Sequence, residues 1–298
     1  MSETREAARE RARELRAAHR KRDRRRRLIV SLSITGSILV IGAIVTAVVL
    51  NSARPATRGP QNMLSDGIKI GAGFEAVPTG GLGIGETPEA SETNPPDVVD
   101  IRIYYDYLCP NCGVFEERNG EQLREYIDAG AATVEYHPIA IFTAKSAGTQ
   151  YSLRAANAVA CVAEYSPDDF FAYHEALFAD QPEENTPGFS DEELIALAED
   201  AGVSADTRFE DCVETQRFRR WVNEATQRAL AGPIEGTDVA AIESTPTIFV
   251  NGREFVYTTS FDPDEFAQFV ASAAGQSFSE NPTPTPTPAP TESATPAP

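Results

Sequence analysis

The stretch YYDYLCPNCGVFEE, Tyr104 to Glu117, places Cys109 and Cys112 where a β-branched and aromatic run gives way to helical spacing. No other feature narrows the fold as much. A strand must feed directly into a helix, and the first cysteine must meet that helix's free N–H groups and the positive end of its dipole, which favour a thiolate. Pro110 lacks an N–H and has a φ suited to a helix's first turn. Such a pair can be a staple, half of a metal site or a reagent. The compartment in which it sits bears on that choice.

Residues 1–27 hold twelve Arg or Lys against five Asp or Glu, whereas the whole chain carries −19. Between that basic segment and the acidic remainder lies Leu28 to Leu50, LIVSLSITGSILVIGAIVTAVVL, without a charge. At about 1.5 Å per residue it makes roughly 34 Å of helix, enough for a hydrocarbon core of about 30 Å. The cluster Arg20 to Arg27 abuts its N-terminal end, so the positive-inside rule holds the N-terminus in the cytoplasm and sends residues 51–298 outside. A cleaved signal peptide is the alternative, but the charged segment and the apolar run are both long for one, and no A-x-A site follows. No cysteine directly follows the run, which excludes a lipoprotein anchor. The expectation is a single-pass cell-membrane protein with its outer domain in an oxidising compartment. The acidic outer part argues against nucleic acid as a partner.

Residues 51–65 read as a polar stalk, and 279–298 as a Pro/Thr-rich tail that cannot bury a core. The intervening 66–278 suits one domain. Asp66 to Val77 reads as an early strand or hairpin, followed by an exposed loop from Pro78 to Pro96. Val98 to Tyr105 reads as a buried strand. A helix is expected from Cys112, broken near Asn119-Gly120, and then a strand from Ala132 to Phe142, with Pro138 marking a bulge or an edge. About 147–231 turns wholly helical, in four segments, with Ser190 and Asp206 as N-caps and Glu193 completing a capping box. Pro246 to Tyr257 reads as a hairpin around Asn251-Gly252, and a last helix starts at Asp262-Pro263.

A structural zinc site wants four ligands. Cys161 and Cys212 stand alone, and the histidines are His19 in the basic segment, His137 and His174. A purely structural bridge from Cys109 to Cys112 would close a loop so short that it removes little chain entropy. The remaining reading is a reagent, with Cys109 as exposed nucleophile and Cys112 as the resolving thiol.

YYDYLCPNC after a strand, an inserted helical block, and STPTIFVNG about 130 residues later together resemble the DsbA-like thiol–disulfide oxidoreductases. The resemblance implies an α/β fold: a thioredoxin fold with an inserted helical domain, here preceded by one transmembrane helix. It also implies that Thr245-Pro246 is a cis peptide facing the cysteines, with Thr245 free to pair with a substrate strand. It supports a structural disulfide between Cys161 and Cys212; a second redox relay is the alternative. Asp106 fits the family pattern either as a proton relay for Cys112 or as a turn-capping carboxylate. His174 matches a structural position of the insert. Trp221, Phe218 and Val222 read as core rather than as a peptide-binding stripe. Two positions depart from the prototype: Asn111 replaces a histidine, which predicts a less oxidising couple, and Ile103 replaces a buried acid.

The function expected is donation of the Cys109–Cys112 disulfide to reduced, unfolded secreted proteins. Reoxidation would come from a quinone-linked membrane oxidase of the DsbB or VKOR-like kind, with no organic cofactor and no metal. The rivals are the reverse chemistry, as a reductase or isomerase, and a peptide-holding module without turnover.

Overall fold

The computed structural model describes residues 58–257 and 261–280, with side chains up to residue 276. The basic segment, the expected membrane span, the stalk before residue 58 and the tail beyond 280 lie outside the described residues. Within them, no helix is long and apolar enough to cross a membrane.

Five strands form one sheet in the order β1-β3-β2-β4-β5: β1 Ile68–Ile70, β2 Val99–Tyr105, β3 Ala132–Pro138, β4 Thr247–Val250 and β5 Arg253–Glu254. The central strand β2 pairs parallel with β3 from Val99↔Ala132 to Tyr105↔Pro138, and antiparallel with β4 from Ile101↔Val250 to Tyr104↔Thr247. Parallel neighbours require a crossover, which is helix α1, Pro110–Asp128. The β-branched and aromatic side chains of β2 fit this place, since Ile101, Ile103, Tyr104 and Tyr105 are all buried. The two edges of the sheet are its shortest strands, which leaves little unpaired backbone to attract other chains.

The register positions the site. Because β4 runs against β2, its entry from Pro246 lies beside the end of β2, where the chain turns through Asp106 to Leu108 into Cys109. The hairpin that fixes β4 turns at Asn251 and Gly252, both at positive φ (48° and 75°), as a two-residue Asn-Gly loop demands. The Asn251 side-chain oxygen also accepts from Asp100 N at 2.8 Å, tying the turn to the start of β2.

The insert is built around α2, Tyr151–Tyr165, on which α3 (Phe170–Ala179), α4 (Asp191–Asp200), α5 (Thr207–Glu214) and α6 (Arg219–Ala231) pack. Every residue of α2 from Tyr151 to Ala163 is buried, and its alanines let neighbours approach on all sides. Ser190 caps α4 with the reciprocal Glu193 contact, and Asp206 caps α5. Helix α7, Pro263–Glu280, returns to pack on α1, β2 and β4. Phe218, Trp221 and Val222 are buried in the core.

Three expectations about local structure fail for tertiary reasons. Helix α1 begins two residues earlier than the pattern suggests and runs unbroken through Asn119-Gly120. Asn119 is fully buried, and its amide donates to Phe115 O one turn back and to Phe261 O of a distant segment, so its side chain is satisfied without breaking the helix. The fourth helical segment splits into α5 and α6 at Gln216, which has φ 50°, because the buried Asn157 side chain accepts from Phe218 N and opens a new helix there. Pro138 makes neither a bulge nor an edge; it ends β3, and Ile139 N then donates to Tyr105 O.

Candidate active site

Cys109 is the N-cap of α1 and Pro110 its first residue. Cys112 N and Gly113 N donate to Cys109 O, closing the first turn. The tip between the cysteines, Pro110 and Asn111, is exposed, but the sulfurs are not: Cys109 is 2 % exposed and Cys112 1 %. Cys109 is therefore less open than the sequence suggests. The segment leading into β4 covers it, and its Sγ donates to Thr245 O at 3.2 Å. Both cysteines are free thiols.

The two thiols sit in opposite electrostatic states. Cys109 is drawn down from 9.0 to about 7, first because the Cys112 thiol hydrogen-bonds to its sulfur, helped by the backbone N–H groups of Asn111 and Cys112 at the helix start. Cys112 is pushed well above 9.0 by burial, and a charge on Cys109 adds to the push. One sulfur can be a thiolate near neutral pH and the other holds its proton.

Thr245-Pro246 is a cis peptide facing this pair, and Thr245 is 4 % exposed with its hydroxyl lacking a hydrogen-bond partner. A second cis bond, Gly232-Pro233, directly follows α6, and nothing in the local sequence announces it. The Asp106 carboxyl is completely buried, accepting from Leu108 N (2.9 Å), Phe142 N (2.8 Å) and the Ser152 hydroxyl (2.7 Å). Those three donors match the turn-capping role. Burial outweighs them and raises its pKa from 3.8 to about 6. Cys161 and Cys212 form a disulfide between α2 and α5, remote from the thiols in chain and element. Ile103 is buried in mid-sheet between Tyr136 and Ile248. His174 is fully buried in α3 among tyrosine and phenylalanine rings.

Gln181, just beyond α3, is absent from the sequence reading. Its amide donates to Tyr107 O (3.1 Å) and Cys109 O (2.9 Å), holding the loop that delivers the first cysteine. It lies so close to α1 that a Cβ at Gly113 would come within 2.2 Å of its side-chain oxygen. The glycine after the second cysteine was the available clue. Among the described residues, no three His, Cys, Asp or Glu side chains converge as a metal site would need.

The chain that carries this dithiol at a helix start, opposite a cis proline, matches a family described as thioredoxin over residues 94–271. The chain belongs to the thioredoxin family. Among solved structures it is similar to oxidised DsbA of Mycobacterium tuberculosis, with 28% identity and a TM-score of 0.53 over 70% of this chain and 93% of that one. Reduced DsbG of the same organism, a disulfide bond oxidoreductase, gives 28% identity and a TM-score of 0.52 over 71% of this chain and 94% of that one. Oxidised BdbD of Bacillus subtilis shares the fold at 21% identity and a TM-score of 0.51, over 74% of this chain and 100% of that one. A comparison with curated protein sequences found no match. The neighbours are thiol–disulfide oxidoreductases with helices added to a thioredoxin-like α/β fold, as here.

Proposed function

We propose that this chain is a membrane-anchored, extracytoplasmic thiol–disulfide oxidoreductase that donates the Cys109–Cys112 disulfide to folding secreted or surface proteins. The observation that carries the reading is the asymmetry of the two thiols: one drawn to about 7 at a helix N-terminus, the other buried and proton-bound. A substrate thiolate attacks Cys109 Sγ of the oxidised pair, and the bond's electron pair leaves on Cys112. A second substrate thiolate then attacks the substrate sulfur of the mixed disulfide, releasing Cys109 as the stabilised thiolate. Thr245 pairs with the substrate strand, and Asp106 positions the loop that presents Cys109. Reoxidation is assigned to a quinone-linked membrane oxidase, and anchoring to the uncharged run 28–50.

The reverse direction has one observation in its favour. A nucleophile near 7 stabilises the reduced form much less than the roughly 3.5 of the strongest oxidant of this kind, and matches the roughly 7 of thioredoxin. Glutathione titration of the full-length protein decides between them. A potential of about −120 to −180 mV, the span of DsbA and protein disulfide isomerase, fits disulfide donation. A value near about −270 mV, that of thioredoxin, assigns the chain to reduction instead. A protein that exchanges no disulfide at all overturns the oxidoreductase reading and leaves the peptide-holding module as its rival.

A further inference from the structure

The insert reaches the reactive turn through the side chain of Gln181. This residue follows α3, and its own N–H donates to Phe178 O at 3.3 Å, so the helix end fixes where the side chain starts. Its Nε2 donates to Tyr107 O at 3.1 Å and to Cys109 O at 2.9 Å. Both partners are carbonyls, so only the NH2 side of the amide can face them.

The two carbonyls belong to the peptide planes on either side of Leu108 and Cys109. Each plane is rigid, so holding both leaves little freedom to the φ and ψ of the two residues between them. Cys109 has φ −74° and ψ 118°. In that conformation its sulfur meets the Cys112 thiol and the N–H groups of Asn111 and Cys112, which draw it down from 9.0 to about 7. Other bonds tie the same turn. Asp106 Oδ1 accepts from Leu108 N at 2.9 Å, Asp106 O from Cys109 N at 3.0 Å, and Thr245 O from the sulfur at 3.2 Å. None of these holds the Tyr107 carbonyl, which Gln181 takes.

Gly113 keeps the place of the amide free. The three atoms nearest to a Cβ added there all belong to the Gln181 amide. A glycine inside a helix is destabilising relative to alanine, and the amide above Gly113 accounts for its presence in the first turns of α1.

We propose that Gln181 is a positioning residue for disulfide exchange: reaching from the insert, its amide fixes the peptide planes around Cys109 and so aims the reactive sulfur at the start of α1. The inference rests on the exchange reading and adds to it a residue that acts through the backbone rather than on the sulfur. A purely structural tie between insert and sheet would change stability alone, whereas a positioning tie also changes how readily the sulfur ionises.

The test is the pH dependence of iodoacetamide alkylation of the reduced full-length protein from pH 5 to 10, with glutathione titration beside it. Gln181→Met keeps the length of the side chain and removes both donors without adding charge. The Cys109 titration is expected to move up from near 7 by about one unit, a tenfold change of the size that one hydrogen bond contributes. The reduced form then loses thiolate stabilisation, and the equilibrium with glutathione is expected to shift toward the disulfide. Gly113→Ala displaces the amide by another route and is expected to raise the titration likewise. Added to Gln181→Ala, it is expected to shift the titration no further, because no amide is left to displace. A titration that stays near 7 in Gln181→Met, even with a lower urea midpoint, overturns the proposal. Gly113→Ala decides in the same way if Gln181→Met fails to fold. If the wild-type protein exchanges no disulfide with glutathione, the function reading fails instead, and that is seen before any variant is compared.

Discussion

At the head of α1, Cys109 and Cys112 stand three positions apart as free thiols, while Cys161 and Cys212 join α2 to α5 across 51 residues. Both pairs are buried, so exposure does not distinguish them. Loop length and surroundings do. A bridge across about fifty residues removes enough chain entropy from the unfolded state to contribute roughly 4 kcal/mol, whereas a four-residue loop gives little. The first pair instead has a helix start, an exposed Pro-Asn tip and a carbonyl from the cis-proline segment around it, and these make its two sulfurs unequal. The same residue type serves as staple in one place and as reagent in the other because of what surrounds the sulfur.

The widest separation between the pairs comes from removing each in turn. Cys109→Ser is expected to abolish thiol–disulfide exchange with little change in stability. Cys161→Ala with Cys212→Ala is expected to keep exchange and lower the free energy of unfolding by about 4 kcal/mol, read by urea denaturation. Loss of exchange in the second variant would make the α2–α5 bridge part of the redox chemistry and break the contrast.

Asp106 tests how the two regions are joined, because its carboxyl binds the loop before Cys109 to Ser152 of α2. Its pKa is raised from 3.8 to about 6, so the folded state favours the protonated form. That stability is fully present below 3.8 and is lost as pH rises through about 6, by up to about 3 kcal/mol at 1.36 kcal/mol per unit. Asp106→Asn does not titrate there. The stability of wild type relative to this variant is expected to fall between pH 4 and 6, and a difference independent of pH would remove the buried acid from the account.

The smallest effect sharpens the reagent end alone. Asn111 is exposed at the tip, and Asn111→His would set a cation near the Cys109 thiolate. A drop of about one unit in the Cys109 pKa corresponds to 1.4 kcal/mol and raises the reduction potential by about 30 mV. An unchanged potential would mean that the helix start and the Cys112 thiol set the couple without the tip.

Much of this was legible because it was local. The order of strand, cysteine pair, helix and strand could be read directly, as could the Asn251-Gly252 turn and the Ser190–Glu193 box, since each depends on neighbours a few residues away. The elements that escaped reading depend on distant partners. Asn119 keeps α1 whole by donating to Phe261 O, Asn157 divides α5 from α6 by accepting from Phe218 N, and Gln181 reaches carbonyls 72 and 74 residues back. The burial of Cys109 likewise comes from Thr245, 136 residues on. At the site, the residue types that carry the chemistry were visible; the amide that holds them was not.

Gln181 lying across Gly113 also limits how this domain can be taken apart. The helical insert is keyed into the first turn of α1 by one amide above one missing side chain, so it is not a cassette. A chimera that carries a different insert loses the hold on the Tyr107 and Cys109 carbonyls unless it brings its own amide, and a side chain restored at residue 113 would push the Gln181 amide out of that place. Residues 113 and 181 are best exchanged as a matched set.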